Sequence, residues 1–155
     1  MDHHGHTAVK HQSLTRQAVS ATLHCLTGCA IGEVLGLVIA SALGWSVAPS
    51  ILLAVALAFV FGYSFTVVPV LRAGLSLLPA LGVAFAADTL SITVMEIVDN
   101  VVIVVVPGAM EAGLGSPLFW GSLLFALAVA FVVTVPVNRW LIARGKGHAV
   151  THKYH

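Results

Sequence analysis

Two stretches of otherwise apolar sequence carry side chains able to hold a proton or a metal ion. The first reads His24-Cys25-Leu26-Thr27-Gly28-Cys29-Ala30-Ile31-Gly32-Glu33. On a helix the i, i+4, i+8 spacing of Cys25, Cys29 and Glu33 confines them to an arc of about 80°. The second stretch carries Asp88, Met95, Glu96 and Asp99, which share with Ile92 an arc of about 100°. Glu96-x-x-Asp99 sets two carboxylates side by side on a helix surface. Once ionised they repel each other unless a proton or cation sits between them.

The donor set mixes soft sulfur with hard oxygen. Thiolate and thioether suit Cu(I) or Zn, whereas carboxylates suit Fe, Mn or Zn. The expected metal ligands are therefore His24, Cys25, Cys29, Glu33, Asp88, Glu96 and Asp99, with Met95 auxiliary to Cu(I). The expected cofactor is a transition metal ion (Zn, Cu or Fe). Blander roles are open to the same residues. Free cysteine is commonly a small buried hydrophobe, and acids can sit protonated and hydrogen-bonded between helices. No CxxC, HExxH, P-loop or GxSxG pattern is present.

The surrounding sequence makes these groups costly. Of 155 residues, 59% are hydrophobic and 8% charged, and mean hydropathy is +1.01. Soluble domains carry roughly 25% charged residues, so an integral membrane protein is expected. The fold class is all-α, a four-helix membrane bundle with spans at about 18–43, 51–70, 79–106 and 117–142. Residues 1–17 and 143–155 are expected to be histidine-containing tails on the cytoplasmic side. Gly44 to Pro49 reads as a turn, and Pro79 and Pro117 suit first helical turns. On insertion scales a central acid costs about 2.5–3.5 kcal/mol, so Glu33 and Asp88 together oppose insertion by about 5–7 kcal/mol. Intramembrane acids usually mark ion or proton routes.

Of the seven Lys and Arg residues, five lie in the tails, Arg139 lies at the C-terminal end of the fourth span and Arg72 lies between the second and third spans. Four spans put those regions on one side, so the positive-inside rule places both termini in the cytoplasm. Trp45 and Trp120 then fall at the outer interface and Trp140 at the inner one. Counted from the cytoplasmic edge, Cys25 is roughly 9 Å deep, Asp88 and Cys29 roughly 15 Å and Glu33 roughly 21 Å. Glu96 and Asp99 follow at roughly 26 and 30 Å. Sulfur thus lies towards the cytoplasm and carboxylate outward.

A cleavable signal is not expected, because the apolar run follows a polar tail. Leu26-Thr27-Gly28-Cys29 matches a lipoprotein box, but most of its apolar stretch lies on the wrong side of the cysteine. The tails hold His3, His4, His6 and His11, then His148, His152 and His155. They read as solvated segments, with weak metal capture as the sharper alternative.

Gly28, Gly32 and Gly36 form a GxxxGxxxG run, which allows close helix approach. It offers either a homo-oligomer interface or a seam between the first and third spans. The partners expected are a lipid bilayer and further copies of the chain, with no nucleic acid.

His24 to Glu33, Ala87-Asp88-Thr89-Leu90-Ser91, Met95-Glu96-Ile97-Val98-Asp99-Asn100 and Pro136-Val137-Asn138-Arg139-Trp140 together resemble a family of small bacterial membrane proteins of unknown function. The resemblance implies a four-helix protein of the bacterial inner membrane and brings no activity with it. The residues alone favour transition-metal binding between the first and third spans, for transport or homeostasis. The alternatives are a thiol-redox protein, a proton or cation conduit on the carboxylates, and a purely structural bundle. An enzymatic role is not favoured, because thiols at i, i+4 on a helix diverge and suit a disulfide poorly.

Overall fold

In the computed structural model the backbone is described for residues 4–145 and the side chains from residue 14 onward. The histidine tails proposed for metal capture therefore lie outside the residues whose side chains are described. Four helices follow one another: α1 (His4–Ala42), α2 (Val47–Arg72), α3 (Leu77–Val105) and α4 (Pro117–Ala143). Each contains a segment long and apolar enough to cross a bilayer.

The connections explain the sharp reversals. After α1, Trp45 N–H bonds the Ala40 carbonyl and Gly44 N–H bonds that of Ser41. This Schellman pattern needs a residue of positive φ, which Gly44 supplies at 67°. Gly74, at 98°, closes α2 in the same way. Both α2 and α3 start after a serine with extended backbone, Ser46 and Ser76, and carry a proline three residues later. Pro49 is thus in the first turn of α2 rather than in a longer loop. A proline there forfeits no helical hydrogen bond, since first-turn N–H groups lack partners anyway.

α1 packs on α2 and α4, and α3 packs on the same two helices. α1 and α3 face each other across the diagonal of the square. Odd and even helices run in opposite directions, so α1 and α3 are parallel. The end where α1 begins and α4 finishes is the tail end, and the opposite end is the far end.

The glycine run is spent inside the chain. A methyl group on Gly28 would stand 2.8 Å from the Gly62 Cα, and one on Gly36 would stand 2.5 Å from the Ala54 Cα. One on Gly32 would overlap the Ala58 backbone. Ala54, Ala58 and Gly62 form a matching small-residue stripe on α2, so the two backbones touch. This corrects both expectations for Gly28, Gly32 and Gly36. They face α2, not α3, and their surface is not free for another copy of the chain.

The polarity of the bundle is inverted. Leu52, Leu78, Phe85, Leu124 and Val132 are well exposed, while Thr22, Glu33, Thr66, Asp88, Ser91, Glu96, Asp99, Ser122, Thr134 and Asn138 are buried. Water would reverse that arrangement, whereas lipid favours it. The outer surface is fit for contact with a bilayer, and the polar side chains are shielded from it.

Candidate functional site

The helical arcs deliver their acids and thiols to the diagonal. Cys25 Sγ–H donates to Asp88 Oδ1 at 3.6 Å. One turn further along α1, Cys29 faces Glu96. One turn further again, Glu33 lies against Asp99. These three rungs join α1 to α3 in the same order because both helices run the same way, although the steps are four and four residues on α1 and eight and three on α3. All six side chains are buried. Cys29 also has Glu33 and Asp88 as electrostatic neighbours, so it occupies the middle of the series.

An apolar collar surrounds the middle. Cys25, Cys29, Ala58, Ile92, Met95 and Ala130 form one cluster drawn from all four helices. Ile92 enters the notch left by Gly62, where an added methyl would stand 2.6 Å from Ile92 Cδ1. Met95 is thus a packing residue beside the thiols.

Near the first rung a second polar group crosses the bundle. Asn138 Nδ2 donates to Thr22 Oγ1 at 2.9 Å, and Ser91 Oγ donates to Asn138 Oδ1. Thr22 in turn donates to the Ala18 carbonyl at 2.8 Å. Asn138 therefore ties α1, α3 and α4 together. Sequence reasoning gave it no role, since one amide in an apolar helix has no periodic pattern. Thr66 of α2, buried beside Asp88, also went unnoticed.

The far half is different. Glu33 Oε2, both Glu96 carboxyl oxygens and Asp99 Oδ1 have no hydrogen-bond partner among the described residues. Glu33 and Asp99 also line a cavity of about 260 Å³ at the far end, together with Trp45, Asn100 and Phe119. The four described arginines, Arg16, Arg72, Arg139 and Arg144, are all exposed.

The expected metal ligands are strung out rather than gathered. Among the described residues, no three His, Cys, Asp or Glu side chains come together in an arrangement that could hold a metal ion. His24 is half-buried, with its ring edge-on to Phe65 of α2 at a centroid separation of 5.4 Å. Cys25 and Cys29 are not joined in a disulfide.

Residues 15–147 match the family described as a domain of unknown function, DUF4396, and the chain belongs to that family. No curated protein and no solved structure matches it.

Proposed function

We propose that this DUF4396 member is a multi-pass membrane protein that passes protons along the α1–α3 diagonal. The observation that carries the reading is the series of three rungs at successive depths, Cys25–Asp88, Cys29–Glu96 and Glu33–Asp99. Every rung contains at least one carboxyl group, which can take up and release a proton without redox chemistry. Successive rungs are one helical turn apart on α1, about 6 Å. Cys29, between Asp88 and Glu96, is the relay across the apolar collar. The placement of Lys and Arg supports cytoplasmic termini, which makes the far-end cavity the outer mouth. The resemblance in sequence supports a bacterial plasma membrane as the location.

The test is proton flux into vesicles holding purified protein, driven by a potassium gradient with valinomycin and read with an internal pH dye. Wild-type protein is expected to speed acidification severalfold over empty vesicles. Asp88→Asn and Glu96→Gln are expected to return it to the empty-vesicle rate. Wild-type flux equal to that of empty vesicles would sink the reading.

A second reading, cation binding with transition metals included, is favoured by the orphaned oxygens of Glu33, Glu96 and Asp99. A cation held by Glu33 and Asp99 would answer part of that deficit, with further donors needed because no three such side chains gather among the described residues. Elemental analysis of protein purified without a nickel column separates the two readings. Stoichiometric metal, lost in Glu33→Gln, supports the second; its absence leaves protons as the answer to the deficit.

A further inference from the structure

The far-end cavity combines features that neither a proton path nor a metal site requires. Its mouth lies between the α1–α2 turn and the α3–α4 connection, where Trp45 and Gly113 contribute to the lining. Glu33 and Asp99 stand in its wall, each only 5% exposed. Each presents a carboxyl oxygen that has no partner among the described residues. Much of the remaining wall is apolar or aromatic, with Leu37, Val55, Ile103, Leu123, Trp45 and Phe119. None of the lining residues is basic.

We propose that this cavity binds an organic cation, a small amine or quaternary ammonium compound bearing an apolar group. Two buried acids with unsatisfied oxygens call for positive charge at the inner wall. A bare metal ion would gain nothing from the apolar lining, and it needs more donors than the two acids bring together. A cation with an apolar substituent uses both parts of the wall. Trp and Phe faces attract such cations through the ring quadrupole, and aromatic cages recognise quaternary ammonium groups in that way. The volume of 260 Å³ sits just below the common range for ligand pockets, about 300–1,000 Å³, and so suits a single ring with a charged head. An anion meets repulsion, and a neutral hydrophobe leaves the carboxyl oxygens unsatisfied. The inference shares Glu33 and Asp99 with the proposed function and is tested apart from it.

The probe is benzyltrimethylammonium, titrated into detergent-solubilised protein by calorimetry, with neopentylbenzene as the neutral shape match and benzoate as the anionic control. Saturable binding of one probe per chain is expected, weakened at least tenfold in Glu33→Gln and in Asp99→Asn. Ser41→Trp, placed at an exposed lining position that leaves both acids in place, is expected to weaken binding by as much through bulk alone. Helix content by circular dichroism confirms that each variant is folded. Absence of saturable binding to wild type overturns the proposal. So does binding that survives all three substitutions, or a neutral match that binds as well as the cation. Binding is measured with no proton gradient, so a protein that fails the flux assay yet binds the probe retains the site and loses only the proton reading.

Discussion

The two halves of the polar core obey different rules. Near the tail end, Asn138, Thr22, Ser91, Cys25 and Asp88 are joined by hydrogen bonds that reach three of the four helices. Towards the far end, Glu33, Glu96 and Asp99 present oxygens with no partner among the described residues, and a cavity adjoins two of them. Both halves are buried, the tail half at 0–1% exposure and the far half at 5–6%. The difference is whether the protein supplies its own partners. The tail half pairs most of its polar groups across helices, although Thr134 Oγ1 there also has no partner among the described residues. The far half leaves carboxyl oxygens of three acids without a partner among the described residues.

That contrast can be broken by mutation. The largest effect is expected from the scaffold common to both halves: Gly32→Leu drives a side chain into the Ala58 backbone and should abolish the folded monomer in detergent, seen as loss of the monodisperse peak on size exclusion. Asn138→Leu comes next. It strips partners from buried Ser91 and Thr22, and should cost about 1–3 kcal/mol, read as lowered thermal stability in detergent. A smaller effect, of the opposite sign, is expected in the far half. Glu33→Gln removes one of two adjacent acids and should leave stability unchanged or raise it by up to about 1 kcal/mol. If Glu33→Gln destabilised as much as Asn138→Leu, the two halves would not differ as described. The smallest change is Cys29→Ser, which keeps a hydroxyl relay in the middle rung and should retain most proton flux, whereas Cys29→Val should lose it.

Much of this arrangement was legible in the sequence. Hydropathy alone marks four apolar segments, and the i, i+4, i+8 spacing puts Cys25, Cys29 and Glu33 on one inward face. The same arithmetic aligns Asp88, Glu96 and Asp99. Periodicity describes one helix at a time, however, and does not say which neighbour a face meets. The glycine run was therefore assignable to close packing but not to α2, whose Ala54-x-x-x-Ala58-x-x-x-Gly62 stripe is inconspicuous in an alanine-rich helix. His24 followed the cysteines in sequence, yet a step of about 100° turns its ring to Phe65 of α2. Asn138 and Thr66 escaped because a lone polar residue on an apolar helix has no pattern to reveal its depth. Order along the diagonal was recoverable because α1 and α3 run parallel, but pairing by depth was not: the helical rise sets Asp88 level with Cys29 and just below Glu33, whereas Asp88 bonds Cys25, Cys29 faces Glu96 and Glu33 lies against Asp99.

Ile92, seated against Gly62 between the first and last rungs, has a consequence for energy conservation. A continuous file of water through the bundle would short-circuit the membrane and dissipate its electrical gradient. A branched hydrocarbon wedged at the centre, with Met95, Ala58 and Ala130 around it, interrupts any such file with a dielectric barrier. Water and hydrated ions crossing the bundle would meet that barrier.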